Sequence, residues 1–327
     1  MSGISILINN YNYGRFLGAA IESVINQSSP PEQIIVVDDG STDDSVEIAR
    51  AYEERGVLVV QKENGGQNSA IRHGLKYINH EYTIILDSDD TLHPDACAKI
   101  KKAIASGNQP TAIMYRLRVV NLEREKMHSL PVLPFVRSNT RAYVLKHGYI
   151  NHAPTSGTAY KTLFLRSAFT HVRAGSFSSD GFLAWAAGWK GGIIYIDEDL
   201  GEYLVHGANI STMGGRDPVR RYKNNNYTID HCKNLEQWIK AENNQFGPSW
   251  VQLLNAYVWR EIAYFKIWYG MYNDITWAQC IRFGVAKFAS ASHHGVWRQI
   301  KNSLFLMAAP VISALVGFIG RRKKLNA

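Results

Sequence analysis

The feature that most constrains this chain is an alternation of short apolar runs with helical patterns in its first third. Four runs of β-branched and aliphatic residues predict buried strands, and they cover residues 4–8, 34–37, 57–60 and 83–86. Apolar residues recur at helical spacing between them. Such strands are typical of parallel βαβ units, because helices cover both faces of the sheet. The sequence therefore predicts an α/β fold with a mostly parallel, twisted sheet flanked by helices.

The pattern changes in the second half of the chain. Another strand is predicted over residues 113–120, and two short strands around a turn are predicted over residues 191–196 and 201–206. Beyond about residue 215 the chain is aromatic-rich and its apolar spacing is helical. We therefore expect three parts, which are a main domain over 1–215, a helical C-terminal region over 216–302 and an apolar tail over 303–327.

Composition narrows the class of partner. The 327 residues are 46% hydrophobic and 20% charged, which suits a globular protein with a full core. A formal net charge of +8 favours anionic partners. No RNA- or DNA-binding signature accompanies that charge, so we expect no nucleic acid. The cysteines, Cys97, Cys232 and Cys280, match neither a disulfide framework nor a zinc site, and the N-terminus reads as a strand instead of a leader; both favour the cytoplasm.

The tail combines an apolar run with a basic end. Residues 304–320 contain one polar side chain, Ser313, and the basic run Arg321–Lys324 follows. The run is short for a bilayer span, and Pro310 would kink it. This pattern favours peripheral association with the inner face of the plasma membrane, where anionic lipid attracts the basic end. An ordinary buried or dimer-forming helix is the alternative, and the oligomeric state is left open.

The fourth strand ends in three carboxylates within four positions, Asp87, Asp89 and Asp90. Open α/β sheets bind ligands at the carboxyl ends of their strands. Crowded carboxylates repel one another unless a cation offsets them, and oxygen ligands suit Mg²⁺ or Mn²⁺. Because such an ion usually arrives with a phosphate, the motif predicts a metal-assisted reaction on a nucleotide diphosphate.

Polar residues also follow the second and third strands. Asp38 and Asp39 could accept hydrogen bonds from a base or a ribose, although a helix cap and turn served by Ser41 and Asp43 would explain the segment without such a function. The stretch Gly65-Gly66-Gln67 follows the third strand, and its glycines allow the backbone to approach a ligand closely. Arg72 lies off the apolar stripe of the next helix, so it faces either a diphosphate or solvent.

Taken together, these motifs resemble the family 2 glycosyltransferases of GT-A fold. The matching segments are Asn9-Asn10-Tyr11-Asn12, Val37-Asp38-Asp39-Gly40-Ser41, Asn64-Gly65-Gly66-Gln67, Leu86-Asp87-Ser88-Asp89-Asp90 and His206-Gly207-Ala208-Asn209-Ile210-Ser211. They occur in the family's order and cover about residues 3–211. The resemblance implies an inverting transfer of a sugar from a nucleotide-diphosphate donor to a hydroxyl of a glycan or lipid-linked acceptor, with Mn²⁺ or Mg²⁺ as cofactor.

The resemblance also implies residue roles. Asn9, Tyr11 and Asp39 would line the nucleoside pocket, and Asp89 and Asp90 would hold ribose and metal. Which of the three acids in the fourth motif ligates the ion stays open, because the aspartate pattern can be read in overlapping registers. The remaining implied contacts are Asp38, Gly65, Gly66, Gln67 and Arg72 for the donor, and Asp87 and His206 for the metal. Relatives commonly carry asparagine where this chain has Arg72, and a lone histidine is otherwise more often structural.

Family members carry an acidic general base at the start of a helix in the second half, and the matching residue is Asp180. Many relatives have Glu-Asp where this chain has Ser179 and Asp180, which leaves one candidate. Asp180 would take the proton of the acceptor hydroxyl as that oxygen attacks the anomeric carbon. Without the resemblance, Asp180 reads as a helix N-cap.

Two other functions fit parts of the sequence. The segment from Asp87 to Thr91 matches the nucleophile motif of haloacid dehalogenase-type phosphatases, in which Asp87 would form a covalent intermediate. That interpretation leaves Asp38, Asp39 and the glycine pair without roles. The other is a non-catalytic nucleotide-sugar-binding protein. A dinucleotide-binding enzyme is not expected, because no Gly-x-Gly-x-x-Gly follows the first strand.

Overall fold

The computed structural model describes residues 3–107, 109–131, 135, 139–147, 150–172, 179–190, 192–207 and 209, together with six residues between 234 and 241. The chain divides into two compact units, residues 1–216 and 217–327. All the elements given below lie in the first unit. The predicted helical region 216–302 is described only at those six residues, and the predicted tail 303–327 lies outside the described residues.

The first half follows the predicted alternation. Its elements are β1 Ile4–Asn10, α1 Gly14–Ile25, β2 Gln33–Asp38, α2 Ser45–Arg50, a 3-10 helix at Glu53–Arg55, β3 Val57–Gln61, α3 Gln67–Gly74 and β4 Tyr82–Asp87. Every residue of β1 is buried, as expected of a strand covered on both faces.

The second half contains strands of very different length, from two residues in β5 to twelve in β9. Its elements are β5 Thr91–Leu92, α4 Ala96–Ala105, β6 Ala112–Val120, β7 Lys126–Leu130, α5 Thr140–His147, a 3-10 helix at Thr155–Gly157, β8 Thr158–Lys161, α6 Thr162–Phe169, α7 Asp180–Lys190 and β9 Ile193–Leu204.

The strands form one mixed sheet in the order β3-β2-β1-β4-β8-β6-β9-β5, with β7 paired to β6. The first four strands are mutually parallel. Strand β8 runs antiparallel to both β4 and β6, and β9 runs parallel to β6. The α/β prediction is confirmed, and the parallel half of the sheet comes from the continuous apolar runs.

The region predicted as two short strands around a turn is a single strand, β9, so that prediction is wrong. Its middle, Asp197-Glu198-Asp199, is acidic and reads as a turn in the sequence. In the structure Asp197 pairs with Arg116 at 2.5 Å and Asp199 pairs with Lys126 at 2.8 Å. Pairing with cations on β6 and β7 keeps the acidic stretch extended, and the register with β6 shifts twice to accommodate it.

Register places the polar strand ends side by side. Asn9 on β1 lies opposite Asp87 on β4, and Asn10 lies opposite Asp38 on β2. At the far edge, Thr91 and Leu92 of β5 pair antiparallel with Glu202 and Gly201 of β9. The chain that leaves β9 is thereby brought beside the acidic motif that precedes β5.

In the part of the chain that the structure describes, no helix is both long enough and apolar enough to cross a membrane.

Candidate active site

The three acids after β4 form one cluster. Each of Asp87, Asp89 and Asp90 offers a carboxylate oxygen, and these oxygens lie within 4.8 Å of one another. Asp87 Oδ1 accepts hydrogen bonds from Asn9 Nδ2 at 2.9 Å and from Gln67 Nε2 at 2.7 Å. The ends of β1 and β4 and the start of α3 therefore meet at Asp87.

Asp90 is committed to protein partners. Its Oδ2 accepts a hydrogen bond from Ser156 Oγ at 2.6 Å, and its Oδ1 accepts one from the backbone N–H of Leu204 at 3.2 Å. The residue is 1% exposed. Ser156 Oγ also accepts a hydrogen bond from the backbone N–H of Asp87. Asp90 thus ties the 3-10 helix and the end of β9 to the acidic motif, and of the three acids it is the least accessible to a ligand.

Asp89 faces His206. Nε2 of His206 lies 2.9 Å from Asp89 Oδ2, and Asn209 Nδ2 donates to the same oxygen at 3.2 Å. The imidazole packs against the rings of Tyr13 and Phe16, with centroids 5.3 and 4.5 Å away. This packing orients the ring, so that its Nε2 faces the partly exposed carboxylate of Asp89.

The carboxylates of Asp87, Asp89 and Asp90 repel one another. Burial and the charge of Asp89 raise the pKa of Asp87 to about 7. Burial, Asp89 and Asp87 also raise the pKa of Asp90 well above its ordinary value. A divalent cation would relieve this repulsion, and carboxylate oxygens with one imidazole nitrogen are ligands that Mn²⁺ and Mg²⁺ accept. The residues present therefore fit a divalent ion, with Asp89 and His206 as the best placed pair.

The second-strand acids have separate roles. Asp38 accepts hydrogen bonds from Asn10 Nδ2 at 2.9 Å and from the Ser41 hydroxyl at 2.6 Å, which makes it the cap of its own turn. Its predicted contact with a donor gains no support from this arrangement. Asp39 accepts hydrogen bonds from the backbone N–H groups of Gly65 and Gly66, at 3.1 and 2.6 Å.

Asp39 also pairs with Lys62, whose Nζ lies 2.5 Å from its Oδ1. The structure thus joins Asp39 to Gly65, Gly66 and Lys62, and the donor contacts implied for Asp39 and the two glycines stay predictions. Sequence reasoning missed Lys62, for which the signal was a basic residue directly after the third strand.

The first-strand residues differ in exposure. Asn9 is buried, and its amide supports Asp87 and donates to the Leu86 carbonyl at 3.2 Å. Tyr11 is 45% exposed beyond the end of β1, where its ring is available to stack on a planar ligand. The nucleoside contacts implied for both residues stay predictions.

Arg72 is engaged elsewhere. Its guanidinium donates to the carbonyl oxygen of Phe169, at 3.1 Å from Nη2, and to that of Val172. These carbonyls lie at and just beyond the end of α6. Neither interpretation from the sequence, diphosphate or solvent, includes this contact.

Asp180 begins α7, and its Oδ1 accepts a hydrogen bond from Thr155 Oγ1 at 2.5 Å. Its charge contributes to the raised pKa of Asp87, so the two carboxylates lie within electrostatic reach of each other. Thr155 and Ser156 are consecutive, and their hydroxyls hold Asp180 and Asp90 respectively. Sequence reasoning missed this pair, because two hydroxyl residues after Pro154 read as an ordinary turn.

The arrangement suits attack by a hydroxyl on an electrophile that carries a diphosphate. A carboxylate able to accept a proton lies near a cluster able to hold a cation, and a nucleoside could occupy the edge beside the exposed ring of Tyr11.

Comparison with known proteins agrees with this geometry. The family model described as "Glycosyl transferase family 2" matches residues 5–172, just over half of the chain. An uncharacterized glycosyltransferase, alr2836, of Nostoc sp. is 28% identical over 212 residues. That match covers 63% of this chain and 66% of the relative, so the chain spans slightly less than two thirds of its length. The next curated relatives are matched over 30% of their length or less.

Solved structures share the fold at low sequence identity. S. aureus TarS 1-349, solved in complex with UDP-GlcNAc, has a TM-score of 0.54 at 15% identity, and the match covers 94% of this chain and 91% of that one. The mannosyltransferase PcManGT from Pyrobaculum calidifontis, in complex with GDP-Man and Mn²⁺, has a TM-score of 0.50 at 16% identity, covering 96% and 88%. These likenesses identify the fold as GT-A. With the family model matched over the strands that carry the acidic cluster, the chain belongs to glycosyl transferase family 2.

Proposed function

We propose that the protein is an inverting glycosyltransferase that moves a sugar from a nucleotide-diphosphate donor to a hydroxyl of a glycan or lipid-linked acceptor. The observation that carries this proposal is the position of Asp180. Its carboxylate is held by Thr155 within electrostatic reach of Asp87, in a chain that belongs to a glycosyltransferase family.

The proposed reaction is a single displacement. The acceptor oxygen attacks the anomeric carbon while Asp180 takes the hydroxyl proton, and the bond from that carbon to the diphosphate oxygen breaks. Attack from the face opposite the leaving group inverts the anomeric configuration. The nucleotide diphosphate leaves with the electron pair of the broken bond.

Asp89 and His206 would hold the divalent ion, with Asp87 beside them. When bound, a Mn²⁺ or Mg²⁺ ion supplies neutralising charge for a departing diphosphate. Asp90 contributes by fixing the motif in place, since its oxygens already accept hydrogen bonds from Ser156 and Leu204.

The donor class follows from the same edge of the sheet. Tyr11 offers an exposed ring, while the buried Asp39 fixes the glycine pair and Lys62 beside it through hydrogen bonds to its carboxylate. The two structural neighbours were solved with UDP-GlcNAc and with GDP-Man, which makes UDP- and GDP-sugars the first donors to test.

The phosphatase interpretation of Asp87 has no further support. The family match assigns the segment from Asp87 to Thr91 to a glycosyltransferase, and Asp87 Oδ1 already accepts two amide hydrogen bonds that hold it in place. The non-catalytic alternative is separated from the proposal by the following experiment.

Asp180→Asn should lower sugar transfer by about 10²- to 10⁴-fold, because the amide cannot accept the proton. Donor binding should be largely unchanged, since Asp180 lies on the acceptor side of the proposed reaction. Release of UDP or GDP from UDP-GlcNAc or GDP-mannose measures turnover, and calorimetry with the same donors and Mn²⁺ measures binding.

The matched control is Glu54→Gln, which also changes a carboxylate to an amide, at an exposed position of the 3-10 helix Glu53–Arg55, and should alter neither quantity. Parallel loss of turnover and donor binding in Asp180→Asn would show that Asp180 is structural. Donor binding with no turnover in the unmodified protein would favour the non-catalytic alternative.

A further inference from the structure

Helices α3 and α6 are joined by two arginines, each of which contacts the carboxyl end of the other helix. Arg72 on α3 donates to the carbonyl oxygens of Phe169 and Val172, at the carboxyl end of α6. Arg166 on α6 donates to the carbonyl oxygens of Leu75 and Ile78, just beyond α3, at 3.2 and 2.6 Å. The last carbonyls of a helix lack partners within the helix and carry its negative dipole end. Each guanidinium therefore satisfies the end of the other helix.

The backbone segments that the two arginines contact lead to different parts of the molecule. Residues 173–178 lie outside the described residues, and they connect Val172, which Arg72 holds, to Ser179 and Asp180. Arg166 instead holds carbonyls that lead into β4, beyond the C-terminal end of α3, whereas the acidic cluster contacts Gln67 at its N-terminal end.

A second contact from α3 holds Ser179. Asn68 lies one turn before Arg72, so the two side chains project from the same face of the helix. Asn68 Oδ1 accepts a hydrogen bond from Ser179 Oγ at 3.0 Å, and both residues are buried. Helix α3 therefore contacts the chain immediately before Asp180 and again at residue 172.

The same helix reaches the acidic cluster. Gln67, its first residue, donates to Asp87 Oδ1 at 2.7 Å. The first two residues of α3 thus contact the carboxylate at the end of β4 and the residue directly before Asp180. Thr155 orients the Asp180 carboxylate, Asn68 holds the side chain of Ser179, and Arg72 holds the carbonyl of Val172.

We propose that Arg72 and Asn68 are positioning residues for Asp180, and that Arg72 does not bind the diphosphate. The inference rests on the proposed function, in which Asp180 is the general base. Proton transfer needs hydrogen-bond distance between base and hydroxyl, and a displacement of about 1 Å can cost on the order of 10²-fold in rate. A direct contact with a diphosphate would require Arg72 to leave the Phe169 and Val172 carbonyls.

The test compares Arg72→Met with Arg166→Met in the full chain. Methionine keeps the length of the aliphatic stem and removes the guanidinium, so both variants lose the same kind of helix-end contact. Arg72→Met should lower kcat for nucleotide release by roughly 10-fold or more, with KM for the donor and Kd for UDP or GDP unchanged. Arg166→Met should lower the melting temperature about as much as Arg72→Met does, but its kcat should stay near that of the unmodified protein.

Arg72→Lys adds a rescue. One ammonium group can reach one carbonyl but cannot span two as a guanidinium does, so kcat should recover in part. A rise in KM or Kd with kcat unchanged in Arg72→Met would overturn the inference in favour of a diphosphate contact. An equal fall of kcat in Arg166→Met would show that the effect is general helix packing.

Ser179→Ala removes the other contact without changing α3, and it remains informative if Arg72→Met does not fold. It should lower kcat and leave donor KM unchanged; a folded variant with normal kcat contradicts the role of Asn68. Asp180→Asn, measured in parallel, separates the two proposals. Full turnover in that variant refutes the general base itself, whereas an inactive Asp180→Asn beside an Arg72→Met with normal kcat refutes only the positioning role.

Discussion

Asp89 and Asp90 are adjacent and chemically identical, yet the structure gives them different surroundings. Asp90 is buried and its two oxygens accept hydrogen bonds from Ser156 and Leu204. Asp89 is partly exposed and faces His206. Side chains in a strand-end turn point in different directions, so neighbouring acids can serve packing and ligand binding separately. At this scale the assignment of the metal ligand depends on the partners of each oxygen.

Asp89→Ala and Asp90→Ala should therefore behave differently in melting experiments with and without Mn²⁺. A ligand that binds only the folded state raises the melting temperature, so Asp89→Ala should lose the rise caused by Mn²⁺. Asp90→Ala leaves a buried hydroxyl and a buried N–H without their acceptor, at a cost of about 1–3 kcal/mol each in the free energy of unfolding. It should lower the melting temperature of the metal-free protein and keep a Mn²⁺ response. The reverse pattern would assign the ion to Asp90.

At the scale of elements, β9 completes the site. Its pairing with β5 brings His206 to Asp89 although the two residues are 117 positions apart. The pairing depends on Gly201, because a Cβ atom there would lie 2.8 Å from the Thr91 carbonyl oxygen and 2.8 Å from Leu117 Cδ2. Only a residue without a side chain allows the two strands this approach.

Gly201→Ala should consequently weaken the metal site without changing a ligand. Relieving the two close contacts requires β5 or Leu117 to move, and overpacking of this kind costs typically about 1–3 kcal/mol. We expect a lower melting temperature and a smaller Mn²⁺-dependent rise. Gly18→Ala, within α1, is the control, because its Cβ would lie 3.5 Å from the nearest atom, Tyr52 Oη, and the substitution should be neutral or stabilising. A normal Mn²⁺ response in a folded Gly201→Ala would show that the β5–β9 pairing does not position the ligands.

At the scale of the whole molecule, every residue proposed for donor, metal and base lies in the unit formed by residues 1–216. The positive charge of the chain, +8, includes the basic run Arg321–Lys324 that ends the predicted tail. We propose that the first unit carries the chemistry and that the tail binds an anionic membrane face, where a lipid-linked acceptor would be within reach.

Deletion of residues 304–327 should therefore reduce binding to vesicles that contain anionic phosphatidylglycerol, measured by co-sedimentation. Replacing Arg321, Arg322, Lys323 and Lys324 with glutamine tests the electrostatic part alone and should weaken binding less at high salt, where the attraction is already screened. Turnover of a water-soluble acceptor should persist in both variants. Vesicle binding that is unchanged by the deletion would remove the tail from the proposal.

Much of the fold was predictable from local pattern. The apolar runs at β1, β2, β3 and β4 determined the parallel half of the sheet, because fully buried strands need apolar side chains on both faces. They also determined that the acidic cluster lies at the carboxyl edge, since Asp87 directly follows such a run. Pattern failed at β9, where Asp197 and Asp199 are extended only because Arg116 and Lys126 lie opposite them.

The sequence by itself determined which acids could act together, because parallel strands end at the same edge of a sheet and the acids directly follow those strands. Only the tertiary structure decided the task of each side chain. His206 reaches Asp89 through the pairing of β9 with β5, and Arg72 turns to the end of α6, about 100 positions away along the chain. A residue's type states which bonds it can form, whereas its partners are chosen by contacts between distant segments, which local pattern does not encode.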